Sequence, residues 1–182
     1  MTSRSNQRDA TFRRIEEVYR GTNLICKSTE QPEYKSTESG MWAASNPVEV
    51  YRAFSHFQLA QYQHMADLGS GDGRVSLIGS LFTRATGYET DEELYAKSLK
   101  IRDTLRIKNA RFIRQDYLDV DLNPYSMLYL YPDKPFYPLE DKLKDGWQGH
   151  LLVHGPHFPP HHFNKVAEAP PEIGKFVLYK SP

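Results

Sequence analysis

Seven residues, Asp67-Leu68-Gly69-Ser70-Gly71-Asp72-Gly73, constrain this chain more than any others. His64 to Leu68 has the look of a short strand ending at the glycine loop, and Arg74 to Leu81 that of a helix leaving it. Glycines at alternate positions permit positive φ and close approach of a ligand to the backbone. The helix start behind them offers N–H groups that have no partner within the helix.

The alternation continues on both sides of this loop. Ala10 to Arg20 is a short amphipathic helix, with Phe12, Ile15, Val18 and Tyr19 near one face. Gly21 to Gly40 loses all periodicity and reads as a lid or a plain connector. Asn46-Pro47 opens a helix to about Ala60, because proline at a first helical position gives up an N–H that would be unpaired there. Ser45 or Asn46 caps it.

After the glycine loop, Arg84 to Tyr88 is a strand closed by Glu89, and Asp91 caps a helix to about Arg106. Ala110 to Arg114 and Ser126 to Tyr131 are strands, Pro135 to Leu143 a helix, and Gly149 to Val153 a strand. Phe163 to Ala167 and Lys175 to Tyr179 form a terminal antiparallel hairpin around Pro170-Pro171-Glu172-Ile173-Gly174. The expected fold is α/β, Rossmann-like: a mostly parallel sheet with helices on both faces. Residues 1–40 form an N-terminal helix and flexible lid or linker, and 41–182 the ligand-binding domain. Ligands in such sheets bind beyond the carboxyl ends of strands, where strand order reverses.

Bulk properties add exclusions. Lys plus Arg and Asp plus Glu each number 23, so net charge gives no general pull toward nucleic acid or anionic lipid. Cys26 is the single cysteine, which rules out an intramolecular disulfide, and no base nearby in sequence marks it as a nucleophile. The polar opening residues and the lack of any long apolar run predict a cytoplasmic protein with no membrane span.

The glycine loop discriminates between nucleotide cofactors. Dinucleotide sites favour Gly-x-Gly-x-x-Gly, which seats a pyrophosphate on a helix N-terminus. Here the spacing Gly69-x-Gly71-x-Gly73 is one residue shorter, and Asp67 and Asp72 flank it. Carboxylates are poor neighbours for pyrophosphate and good ones for the ammonium of a methionine moiety. The pattern therefore predicts S-adenosylmethionine, bound by Asp67, Gly69, Ser70, Gly71 and Asp72. Glu89, at the end of the next strand, is placed to accept both ribose hydroxyls. Asp116 is placed to meet the adenine amine, and Tyr117 to pack on the ring.

Asp67 to Arg74, then Gly87-Tyr88-Glu89, then Gln115-Asp116, resemble class I, seven-strand S-adenosylmethionine-dependent methyltransferases. Ser45-Asn46-Pro47, Leu128-Tyr129-Leu130-Tyr131-Pro132 and Val153-His154-Gly155-Pro156-His157-Phe158-Pro159 resemble segments of the small protein lysine methyltransferases of archaea and mitochondria. The similarity runs from about Ser45 to Lys180. The chain departs from those relatives in its longer region before Gly40, and in having His154-Gly155-Pro156-His157 where they often have Ser or His and then an acid.

The resemblance implies N-methylation of lysine side chains in a protein substrate. Asn46 and Tyr131 join the cofactor-binding set, and Tyr131 also faces the acceptor. Asp133 and His154 are the candidate proton acceptors. Trp42, Tyr129, Tyr131, Phe136 and Phe158 line an apolar channel that disfavours the charged form of an arriving lysine. A small-molecule or RNA methyltransferase, or a non-catalytic cofactor-binding partner subunit, are the alternatives.

Three further signals have plainer readings. His154, His157, His161 and His162 crowd together, yet their spacing fits no closed metal site, so no metal is expected. Lys97, Lys100, Arg102, Arg106, Lys108, Arg111 and Arg114 form a basic run that reads as a solvated face, diluted by Asp91, Glu92, Glu93 and Asp103. Asp121-Leu122-Asn123-Pro124-Tyr125 looks like an amine-gripping motif but precedes its strand, and reads as a turn.

Overall fold

A computed structural model describes residues 3–22, 34–38 and 40–182. Cys26 and most of the expected lid lie outside the described residues. The elements are α1 (Ser3–Thr22), β1 (Tyr34–Thr37), β2 (Gly40–Ala43), α2 (Pro47–His56), β3 (His64–Leu68), α3 (Arg74–Gly79), β4 (Arg84–Glu89), α4 (Glu92–Leu105) and β5 (Ala110–Arg114). Then follow β6 (Met127–Leu130), α5 (Tyr137–Leu143), β7 (His150–His154), β8 (Asn164–Glu168) and β9 (Phe176–Lys180).

Seven strands form one sheet in the order β5-β4-β3-β6-β7-β9-β8. The first five run parallel, and β9 pairs antiparallel with both β7 and β8. From β3 the chain moves outward to β4 and β5, then returns to β6 on the other side. The carboxyl ends of β3 and β6 therefore flank the point where strand order reverses, which places the binding crevice there.

Alternation along β3 assigns the two faces. Met65 joins one apolar cluster with Phe12, Ile15 and Tyr19 of α1, Val50 and Phe54 of α2, Leu77 of α3 and Ile101 of α4. Ala66 and Leu68 join the other, with Leu139 and Leu143 of α5 and with Trp147. Strands buried on both sides read as continuous apolar runs, as Met127–Leu130 does.

Local chemistry sets the helix ends. Asn46 Oδ1 accepts from Val48 N and Glu49 N, with Pro47 at the first helical position. Asp91 accepts from Leu94 N at the head of α4. The turn reading of 121–125 holds, since Asp121 accepts from Asn123 N and Leu122 O from Tyr125 N.

Two expectations need correction. The N-terminal helix is longer than Ala10 to Arg20 and starts at Ser3. Within the stretch expected to be irregular, Tyr34–Thr37 is a strand, paired antiparallel with Gly40–Ala43. No apolar alternation marks these short strands, because distant residues hold them rather than a buried face of their own.

Candidate functional site

A cavity of about 720 Å³ opens at the carboxyl ends of β3, β4 and β6. Asp67, Gly69, Ser70 and Glu89 line its inner part, and Asp116 and Tyr117 the flank beyond β5. Tyr131, Pro132 and Asp133 after β6, His157 and Phe158 after β7, and Tyr34 and Trp42 of the hairpin complete the wall.

Asp67 is buried, and its Oδ2 accepts from Ser76 Oγ at 2.7 Å. Burial raises its pKa to about 7; Glu89 and Asp72 push in the same direction, and the Ser76 bond opposes them. A positive group in the cavity would stabilise the carboxylate. Ser70 Oγ is buried with no hydrogen-bond partner although Ser70 lines the cavity, and orphaned buried groups of this kind are rare. An ideal Cβ on Gly69 would meet nothing within 4 Å, so the backbone there is open to a ligand.

Glu89 holds the loop as well as facing the cavity. Its Oε2 accepts from Gly71 N at 2.7 Å, and its Oε1 from Thr90 N and Asp91 N at 2.9 Å each. A carboxylate has about four acceptor sites, so capacity remains for a further donor. Asp116 Oδ1 accepts from Leu118 N and caps the turn that presents Tyr117.

Asn46, Gly71, Asp72 and His154, expected at the site, do not line the cavity. The carboxamide of Asn46 is taken up by its helix cap. Asp72 is fully buried in an ion pair with Arg74 at 2.7 Å, with Lys97 at 3.2 Å, so its charge is already compensated within the fold. Gly71 lies beneath Trp42: a Cβ there would fall 1.9 Å from the indole Nε1.

His154 Nδ1 hydrogen-bonds the hydroxyl of Tyr129 at 2.8 Å, and its ring stacks between Tyr131 and Phe176. Burial pushes its pKa down to about 4, so it stays neutral at physiological pH. Asp133 does face the cavity, and its Oδ2 accepts from Met41 N at 2.7 Å.

Sequence reasoning missed several contributors. Tyr34 and Met41 of the hairpin line the cavity. Tyr19 donates its hydroxyl to Asp72 O, and Arg74 lies over its ring, so α1 braces the glycine loop. Buried Glu140 accepts from His161 N and His162 N at 2.6 and 3.1 Å and fixes the chain leaving the His157 and Phe158 wall. No local sequence signal pairs Glu140 with a segment some 21 residues away.

The histidines do not converge. Among the described residues no group of three or more His, Cys, Asp or Glu is placed to hold a metal ion. The basic run is partly neutralised, through Lys97 with Asp72, Arg102 with Asp103 and Arg114 with Glu92. Among the described residues no helix is long and apolar enough to cross a membrane.

The sequence matches no protein-family model and no curated protein. Solved structures share the fold. An RNA methyltransferase from Salinibacter ruber, in complex with S-adenosyl-L-homocysteine, superposes with a TM-score of 0.62 at 21% identity, covering 76% of this chain and 91% of that one. An rRNA methylase from Streptococcus thermophilus does so with a TM-score of 0.51 at 14% identity, covering 76% and 98%. A mutant of MtNAS in complex with S-adenosylmethionine gives 0.55 at 12% identity, covering 73% and 62%. The expected Rossmann-like methyltransferase sheet, with its terminal hairpin, is therefore the observed fold.

Proposed function

We propose that the protein is a methyltransferase that uses S-adenosylmethionine. The carrying observation is the inner wall of the cavity. Asp67, a buried carboxylate with a raised pKa, stands beside the unpartnered Ser70 hydroxyl at an open glycine turn. Asp67 suits the ammonium of the methionine moiety, Ser70 Oγ its carboxylate, and Glu89 the ribose hydroxyls. Asp116 and Tyr117 suit the adenine. A pyrophosphate on the glycine loop would meet Asp67 instead, which disfavours a dinucleotide. Similar structures that hold S-adenosylmethionine or its demethylated product support the same assignment.

When bound, the cofactor would supply an electrophilic methyl on a sulfonium, with the C–S electron pair leaving on sulfur. The protein's own task is alignment and desolvation, and positioning carries much of the rate in such a displacement. Tyr131, stacked on His154 at 4.0 Å and 44% exposed, holds the acceptor. The proton lost by an amine goes to Asp133 at the cavity wall. His154, enclosed behind Tyr131, fixes the ring of Tyr131 and does not take that proton.

For the acceptor we favour an amine on a protein side chain. The carboxylates lining the cavity are Glu38, Asp67, Glu89, Asp116 and Asp133, against the cations Arg74 and Lys134. With Asp67, Glu89 and Asp116 given to the cofactor, Glu38 and Asp133 remain against Lys134, and that small excess of negative charge suits a lysine ammonium better than a phosphate backbone. Apolar walls from Phe136, Phe158 and Trp42 then favour its neutral, nucleophilic form. An RNA base is the second reading, favoured by the names of two similar structures.

Radiolabelled S-adenosylmethionine, given to the purified protein with cell extract, separates the readings. Label that resists nuclease and is lost to protease supports the protein acceptor. The reverse supports RNA. No transfer to either fraction, by a folded protein that binds the cofactor, contradicts both.

A further inference from the structure

We propose that the β1–β2 hairpin is a strap across the cofactor cavity and that Trp42 is a cofactor-contacting residue. The proposal rests on the methyltransferase reading above.

Register places the parts. Lys35 pairs directly with Trp42, so their side chains share one face of the ribbon, while Met41 and Ser36 occupy the other. One tie comes from a side chain of the inward face and one from the backbone. Lys35 Nζ donates to Asp91 Oδ1 and Oδ2 at 2.8 and 2.9 Å and to Glu93 Oε2 at 2.7 Å, just beyond β4. On the opposite side Met41 N donates to Asp133 Oδ2, just beyond β6.

Strand order runs β4-β3-β6, so these anchors lie on either side of β3 and its glycine loop. Between them the Trp42 indole rests against Gly71, with the Arg74 guanidinium 5.8 Å and the Lys97 ammonium 6.0 Å from its ring. Trp42 lines the same cavity as Asp67, Gly69 and Ser70. A molecule seated on the glycine loop therefore meets the indole, whose broad apolar face packs on the sulfonium cofactor and on its uncharged demethylated product alike.

The ties suit a strap that opens. Lys35 is 31% exposed, with Glu93 84% and Asp91 16% exposed, and ion pairs open to solvent on one side are individually modest and screened by salt. Cofactor exchange is then limited by release of these anchors.

The test uses the chain's two tryptophans. Trp147 is buried in the other cluster, with its Nε1 donating to Tyr125 O, so Trp42 is the tryptophan at the cavity. S-adenosylhomocysteine is titrated by calorimetry and by tryptophan emission into the full chain and into Trp42→Phe. The full chain should show a saturable emission change with the calorimetric Kd. Trp42→Phe should lose that change and bind about tenfold more weakly or worse.

Lys35→Met should release S-adenosylhomocysteine about tenfold faster in stopped flow, and added salt should quicken release from the full chain but not from the variant. Calorimetric binding with no change at Trp42, or with release rates unaffected by Lys35→Met and by salt, overturns the strap and leaves the methyltransferase reading standing. No binding to the folded full chain overturns both.

Discussion

Ser76 Oγ donates to Asp67 Oδ2 at 2.7 Å, so the helix after the glycine loop reaches back to hold the carboxylate that precedes it. The bond lowers the pKa of Asp67, yet burial outweighs it and leaves the group near pH 7. The site therefore titrates where enzymes work.

Cofactor affinity should depend on pH through Asp67. Below about 7 the group is protonated and offers an ammonium little. Affinity for S-adenosylhomocysteine should rise as pH climbs through 7, with protons released on binding. Calorimetry in buffers of different ionisation enthalpy measures that release. Asp67→Asn should flatten the pH profile and weaken binding above pH 7 by about tenfold or more.

Stability should move the opposite way. The folded pKa of Asp67, about 7, lies above its unfolded value near 3.9, so the folded state holds the proton more tightly. The contribution is most favourable below about pH 4, falls as pH rises toward 7, and is flat above. The unliganded Asp67→Asn protein should melt above the parent at pH 8, and the gap should close on acidification. Thermal melts across that range check it.

Two glycines of one loop should fail differently. At Gly73, φ is +84° and a Cβ would meet Ser98 Cβ at 2.6 Å and the Phe112 ring at 2.7 Å. Gly73→Ala should cost about 2–4 kcal/mol of stability, from backbone strain plus overpacking. At Gly69 φ is +78° and the space is open. Gly69→Ala should cost about 1–2 kcal/mol in stability and place a methyl where the ligand approaches, so binding suffers more than folding. Urea unfolding and calorimetry on both variants separate the effects.

Asp72 should behave as a structural charge. Asp72→Ala leaves the buried Arg74 without its 2.7 Å partner, and breaking such a pair costs about 3–5 kcal/mol. Chemical denaturation reads that loss. A variant of parental stability that binds no cofactor would return Asp72 to the binding site.

Glu140→Ala should act on the acceptor side. It removes the carboxylate that accepts from His161 N and His162 N, leaving the wall that carries His157 and Phe158 less fixed. Acceptor KM should rise while the Kd for S-adenosylhomocysteine is unchanged. Initial-rate kinetics with calorimetry test the split.

The sheet was legible because parallel strands buried on both faces must be apolar, and the glycine loop marked the first turn. Glu89 on the cavity wall was legible for the same reason, since it ends the strand beside that turn, and Asp116 follows two residues after the next strand out. That Asp72 and Asn46 do not line the cavity was not legible, because a carboxylate or carboxamide near the loop looks alike in sequence whether it faces ligand or its own fold. Arg74, two residues from Asp72, and the cap at Val48 decided both, and each is a side-chain geometry. The hairpin escaped notice because Lys35 with Asp91 and Met41 with Asp133 join residues 56 and 92 apart. Local pattern carries no trace of such pairs.

The central claim is that this cavity binds S-adenosylmethionine, and calorimetric titration with it and with S-adenosylhomocysteine, against NADH as control, tests that most directly. The account predicts one site of roughly micromolar affinity for the sulfur ligands, which corresponds to about −8 kcal/mol, and no heat with NADH. Binding of NADH alone, or of none of the three by a folded protein, would contradict it.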